Sequence, residues 1–384
     1  MPTDISRRNF LKGGAAVAAG VAASGLALPQ VVRASSGEEL CTLLDLSKCI
    51  GCEECVSACR EKWQATVPDP VSPMPQPFPP RVPVEDWSGR KDVQDRLTPY
   101  NFLYVEMLDV EHKGEVQELN VPRRCMHCLN PPCANLCPFG AGRIEKNGVV
   151  WIDSEVCLGG AKCKAVCPWH IPQRQSGVGI YRHLMPEYAG NGVMFKCHRC
   201  RELLKKGETP RCIEVCPENV QFIGPRDQMV AQAIALAKQK AQDDGQPQGR
   251  WRDYVYGLEE NGGTNTLYVS PYPFQAVNAA IAKQHQELAQ KMRSGKGKGA
   301  KKGGRGLGRG LRGRPHMGPV ANTMASSQNL TWALVLAPVA GLAGGLAKLF
   351  SKTKKVLPPQ KPADTHVDTH VDTHLDSHGQ GEGQ

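Results

Sequence analysis

Cys49-Ile50-Gly51-Cys52-Glu53-Glu54-Cys55-Val56-Ser57-Ala58-Cys59 decides how the rest of the chain is read. At C-x2-C-x2-C-x3-C spacing, three thiolates on one tight loop fit three corners of an iron–sulfur cubane. The fourth is sent away to another cluster. A run of this kind implies partner runs, and the chain carries three more. They are Cys125-x2-Cys128-x4-Cys133-x3-Cys137, Cys157-x5-Cys163-x3-Cys167 and Cys197-x2-Cys200-x11-Cys212-x3-Cys216. Proline follows the last cysteine of three of the runs, at Pro138, Pro168 and Pro217. That ending suits cluster-binding runs and has no part in a disulfide framework, which leaves zinc as the main rival.

The 384 residues include 16 Cys, 40 Gly and 30 Pro, with only 6% aromatic residues. Apolar burial is thin for such a length, so metal binding is expected to contribute cohesion. The net charge of +10 is local. Residues 291–314 alone carry ten Lys or Arg and no Asp or Glu, so the remainder sums to zero and no uniformly basic face follows.

Both termini look like addresses. Ser6-Arg7-Arg8-Asn9-Phe10-Leu11-Lys12 precedes a weakly apolar Ala/Gly run to Leu28, and Val32-Arg33-Ala34 offers a cleavage site. Twin arginines in this setting predict a Tat signal over 1–34 and a mature domain facing the periplasm. Leu330 to Ala347 is uncharged and is followed by Lys348, Lys352, Lys354 and Lys355. Its length predicts a C-terminal transmembrane helix over 330–350, with the tail in the cytoplasm by the positive-inside rule. The tail, 351–384, repeats Asp-Thr-His and stacks His366, His370 and His374 at helical spacing; a disordered tail is the reading preferred over nickel or zinc binding.

Four runs in this order, with the longer gap inside the fourth, resemble the ferredoxin-type iron–sulfur subunits of membrane-bound respiratory enzymes. Those enzymes are hydrogenase-2, formate dehydrogenase-N, nitrate reductase and dimethyl sulfoxide reductase. The resemblance covers roughly Leu40 to Tyr272 and implies an α+β fold of two ferredoxin-like units in pseudo-two-fold pairing. It implies that Cys49, Cys52, Cys55 and Cys216 hold one [4Fe–4S] cluster. Cys59, Cys197, Cys200 and Cys212 would hold a second, and Cys125, Cys128, Cys133 and Cys167 a third. The fourth would take Cys137, Cys157, Cys163 and residue 160, which is Gly160. Glycine cannot ligate, so this site is expected to hold a [3Fe–4S] cluster, or a [4Fe–4S] with a substitute ligand such as Asp153 or His170. Cys41 is left over and reads as a small buried hydrophobe.

His127, His170 and His198 beside the runs read as packing or sulfur-bonding groups. No Cys-x-x-Cys-His occurs, so covalent c-type haem is excluded on motif grounds, and no phosphate loop or nucleophile elbow is present. Residues 35–66 hold the first run. Residues 67–99 hold nine prolines and read as an extended insertion loop, with Phe78 and Trp87 as anchors onto a partner. Residues 100–290 hold the rest of the core, including a hairpin around Lys113-Gly114, strands at 148–153, 219–224 and 266–269, and helices at 227–244 and 273–292. Residues 291–329 read as a basic Gly-rich linker.

The expected function is that of a non-catalytic electron-transfer subunit. It would link a periplasmic catalytic subunit, first choice a nickel–iron hydrogenase, to an integral membrane, quinone-linked subunit. The alternative owner is a molybdopterin oxidoreductase or a quinone-reductase complex, and no nucleic-acid partner is expected.

Overall fold

Leu40-Cys41-Thr42-Leu43-Leu44-Asp45 is buried along its whole length, the pattern of a strand covered on both faces. The computed structural model describes residues 38–78, 80, 82–293 and 313–325. Strand β1 (Leu40–Asp45) is followed by α1 (Glu54–Trp63), the hairpin β2 (Tyr104–His112) and β3 (Glu115–Arg123), α2 (Pro132–Asn135), and the pair β4 (Gly142–Ile144) and β5 (Val150–Ile152). Next come α3 (Lys162–Val166), β6 (Gln173–Gln175), α4 (Tyr181–Leu184), β7 (Val193–Phe195), α5 (Arg201–Lys205) and α6 (Arg211–Glu214). The chain closes with β8 (Gln221–Pro225), α7 (Arg226–Asp243), β9 (Val255–Tyr256), β10 (Thr266–Val269) and α8 (Phe274–Arg293).

The main sheet runs β8-β1-β10-β9, with β1 antiparallel to β8 and parallel to β10. Helix α7 lies on one face. Met229, Ala233, Ala237 and Ala241 recur every four residues and bury against Cys41, Leu43, Leu267 and Val269. The helix stops at Gly245 (φ +67), where Gly245 N–H donates to Gln242 O and Gln246 N–H to Ala241 O, the paired bonds of a Schellman ending. On the other face Leu44, Tyr256 and Tyr268 meet Leu108 and Val110 of β2 and Val277 and Ile281 of α8.

The hairpin turns at Lys113 (φ +52) and Gly114 (φ +82). Two consecutive positive φ angles make a type I′ turn, whose twist matches the strands it joins. Helix α1 packs on α6, and α2 on α3, so the first run meets the fourth and the second meets the third.

Several expectations change. The fold class loses its C-terminal transmembrane helix, because no helix among the described residues is long and apolar enough to cross a membrane. The stretch 330–350 lies outside the described residues, as do the Tat signal, the tail and most of the basic linker. Within that linker, 313–325 lies on the core. Met317 is buried, and Arg123 Nη2 donates to the carbonyls of Pro315 and His316 at 2.7 and 2.9 Å. In the proline-rich loop Trp87 is buried rather than offered to a partner, its backbone N–H donating to Gln175 Oε1 at 2.9 Å; Phe78 is exposed.

Candidate iron–sulfur centres

In every run the last two cysteines are four residues apart: 55 and 59, 133 and 137, 163 and 167, 212 and 216. Cys55 and Cys59 both lie on α1, about one helical turn apart on one face. In each of the other pairs the first cysteine is helical and the second lies at or just past the helix end. One thiol of each pair goes to each of two neighbouring sites.

Three cavities are each lined by four cysteines. The first is bounded by Cys49, Cys52, Cys55 and Cys216, with Ile50, Val105, Pro122 and Val220. The second is bounded by Cys59, Cys197, Cys200 and Cys212, with Trp63, Phe102, Arg124 and His198. Around the third stand Cys125, Cys128, Cys133 and Cys167, with His127, Trp169, Ile171 and Lys196. Cys137, Cys157 and Cys163 lie within electrostatic reach of one another as a fourth group. The groups form a series. Cys55 and Cys212 connect the first to the second, Cys125 and Cys197 the second to the third, and Cys133 and Cys163 the third to the fourth. Cys41 stands apart in β1, fully buried against α7, with burial pushing its thiol up to about 11.

The fourth group repeats the loop geometry of the first. Gly51 (φ +71) and Glu53 (φ +59) flank Cys52, and Gly159 (φ +65) and Ala161 (φ +55) flank Gly160. Gly160 thus occupies in its loop the position that Cys52 occupies in the first run. Of the substitutes considered, His170 is exposed with Nδ1 on Lys164 O at 3.1 Å. Asp153 faces Arg143 at 3.9 Å, and its backbone carbonyl accepts from Cys157 N.

Donors converge on the sulfurs. Trp63 Nε1 donates to Cys200 Sγ at 3.1 Å, Arg124 Nη1 to Cys212 Sγ at 3.1 Å, and Lys196 Nζ to Cys125 Sγ at 3.3 Å. Backbone N–H groups of Met194, Arg199 and Val220 donate to Cys157, Cys197 and Cys216. Val150 N–H donates to His127 Nδ1, which puts the proton on Nε2, facing Cys197 Sγ at 3.9 Å. Burial holds His127 well below the usual imidazole range and lowers His198 to about 4. Both are therefore neutral at neutral pH. His198 stacks edge-on with Trp63 in the wall of the second cavity.

Burial pushes Cys200 and Cys167 up to about 12 and Cys133 to about 11. A bound metal must displace those protons, since coordinating thiols are deprotonated. Burial also works against the charges of Arg124 and Lys196, and the neighbouring cysteines, once their sulfurs are deprotonated by a bound metal, outweigh it and favour both cations.

These residues fit iron–sulfur clusters. All sixteen cysteines are free thiols. Twelve of them line the three cavity walls, and among the described residues no group of three or more His, Cys, Asp or Glu converges on a single ion. Four cysteines around each cavity suit a polynuclear cluster held between them. Arg124 Nη2, in the second cavity's wall, is buried without a hydrogen-bond partner, a donor left for an anionic group inside. Sequence reasoning missed Trp63, Arg124 and Lys196. A signal existed for the cations: each directly precedes the first cysteine of a run, Arg124 before Cys125 and Lys196 before Cys197.

Two models of the 4Fe-4S dicluster domain match the chain, over residues 48–141 and 116–226, and the twin-arginine translocation signal matches residues 4–24. The chain is 28% identical over 306 residues to the hydrogenase-2 operon protein HybA of Escherichia coli O157:H7, covering 71% of this chain and 82% of that protein. It is 29% identical to the iron-sulfur subunit of nitrate-inducible formate dehydrogenase from Escherichia coli K12, covering 60% and 68%. To the thiosulfate reductase electron transfer subunit PhsB of Salmonella typhi it is 30% identical, covering 48% and 76%. The chain belongs to the ferredoxin-type iron–sulfur electron-transfer subunits of respiratory oxidoreductases. Its signal sequence directs export to the periplasm.

Proposed function

We propose that the chain carries electrons through four clusters, in the order first, second, third, fourth group, between a periplasmic catalytic subunit and a quinone-linked membrane subunit. The observation that carries this reading is the reciprocal sharing of cysteines between three four-thiol cavities and a three-thiol group. The ligand sets are those implied by the resemblance. Cys49, Cys52, Cys55 and Cys216 hold the first cluster, and Cys59, Cys197, Cys200 and Cys212 the second. Cys125, Cys128, Cys133 and Cys167 hold the third, and Cys137, Cys157 and Cys163 the fourth. With Gly160 in the ligand position, that fourth cluster is a [3Fe–4S]. Each cluster, when bound, accepts and releases a single electron. The chain's residues hold the iron, exclude water and set the local charge; none acts as an acid, base or nucleophile.

A nickel–iron hydrogenase is the first choice of catalytic partner, supported by the coverage of the hydrogenase-2 operon protein. A molybdopterin enzyme is the second reading, supported by the formate dehydrogenase and thiosulfate reductase relatives. Metal analysis of the complex captured through this subunit separates the two. Stoichiometric nickel beside excess iron upholds the hydrogenase; molybdenum or tungsten without nickel replaces it with the molybdopterin enzyme. A colourless protein with zinc and no iron defeats the cluster reading altogether.

A further inference from the structure

Holding iron does not by itself require a buried ammonium, yet Lys196 supplies one. The residue is 6% exposed. Its Nζ lies 3.3 Å from Cys125 Sγ, donates to Val150 O, and reaches the carbonyl of Cys197 at 3.2 Å. These contacts span two sites, because Cys125 belongs to the third group and Cys197 to the second. None of the three is a carboxylate. The ionisable groups acting on it most strongly are Cys125, Cys133 and Cys197.

An ammonium taken out of water is costly unless an anion balances it. Here the balancing charge belongs to the cysteine groups themselves. A fixed cation at such range favours the more negative, reduced form of an anionic cluster and so raises its reduction potential. The second group has a further cation, since Arg124 Nη1 sits on Cys212 Sγ. For the third group, Lys196 is the cation in direct contact with a ligand sulfur.

Resting on the cluster reading above, we propose that Lys196 is a potential-setting residue, a positive charge shared by the second and third groups that holds both clusters at higher reduction potential. The third depends on it more, because it is the one whose sulfur Lys196 touches. Holding the two interior carriers up together keeps the middle of the series from becoming the barrier between its ends.

The test uses the purified complex with Lys196→Met, which keeps the apolar stem and removes the charge, and Lys196→Arg, which keeps the charge. Iron and sulfide per chain are measured first, then each midpoint potential by redox titration followed by electron paramagnetic resonance. In Lys196→Met with full iron, the oxidised-to-reduced ratio of the third cluster at fixed potential should rise about tenfold, a fall of ~59 mV for one electron. The second cluster should fall less, the first and fourth should stay, and Lys196→Arg should restore wild-type values. Unchanged potentials, or an equal shift of all four, would overturn the proposal. Should the Met variant lose iron, Lys196→Gln is measured in its place, and loss of iron in both makes the residue structural and overturns the proposal too. A wild-type chain without iron would instead defeat the cluster reading, which separates the two failures.

Discussion

Gly160 and Gly159 are neighbours with opposite tolerances. A Cβ at Gly160 would meet, beyond its chain neighbours, only Phe139 Cε2 at 3.7 Å, an ordinary contact, and the residue is exposed. Gly160→Cys should therefore fold and complete the fourth ligand set. Iron per chain should rise by one, and a three-iron resonance in the oxidised protein should give way to a four-iron cluster; an unchanged spectrum would sink the three-iron assignment. Gly159 has φ +65, and a Cβ there would run into the carbonyls of Asn191 and Gly192. A left-handed non-glycine residue costs about 1–2 kcal/mol before any clash. Gly159→Ala should accordingly lower iron in the fourth group while the other three keep theirs, read by cluster-resolved spectroscopy. The importance of position 160 was legible from run spacing and family resemblance. That its flanking angles copy those around Cys52 was not, because left-handed backbone at Glu53 and Ala161 has no residue signature.

Among the elements, α7 shows the effect of small side chains at a close interface. Ala233, Ala237 and Ala241 are at most 1% exposed against the sheet. Ala237→Leu adds methylenes where none fit, and overpacking of this kind costs about 1–3 kcal/mol. Denaturant unfolding should show that loss, and unchanged stability would mean the helix can shift on the sheet. At its far end the helix is tied to the hairpin turn: Asp244 accepts from His112 Nε2 at 2.8 Å, Lys113 Nζ at 2.6 Å and the Tyr254 hydroxyl. Burial opposes the charge of Asp244, but these donors outweigh it and hold its carboxyl down to about 2. The stabilisation is present above the ordinary carboxylate range and lost as pH falls toward 2. Asp244→Asn should cost on the order of 1–2 kcal/mol at pH 7, the scale of hydrogen bonds to a charged group after some screening. The gap between variant and wild type should close in acid; a gap constant with pH would point to shape rather than charge. The hairpin and α7 were readable because alternation and Lys-Gly or Asp-Asp-Gly endings are local signals. The short pairs β4–β5 and β6–β7 were less so: a strand was expected at 148–153, but its partner at 142–144 and the pairing of 173–175 with 193–195 rest on tertiary contacts.

For the molecule as a whole, the cysteine groups are the core rather than additions to it. Cys55, Cys59, Cys157, Cys200 and Cys212 belong to one apolar cluster, and Cys125 and Cys167 to another. Among the described residues, the cluster between α7 and the sheet holds no cysteine of the four runs and has Cys41 instead. The four runs were visible in the chain because each is contiguous. The segment 313–325 was read as linker because its hold on the core rests on hydrogen bonds to Arg123 and Asn278 and on Met317, which leave no periodic pattern. Removing iron should therefore act unevenly. It leaves Arg124 and Lys196 buried beside thiols that burial drives toward the neutral form, so two cations lose their balancing charge. The α7 face of the sheet loses nothing of the kind. Hydrogen exchange after anaerobic chelation should show early opening of α1, α2, α3 and α6, with α7 and the β1–β10 pairing protected longest. Simultaneous exchange throughout would mean that iron holds the molecule as a single cooperative unit. Unchanged exchange would mean that the thiol cavities are stable without it, and that the clusters carry electrons but not the fold.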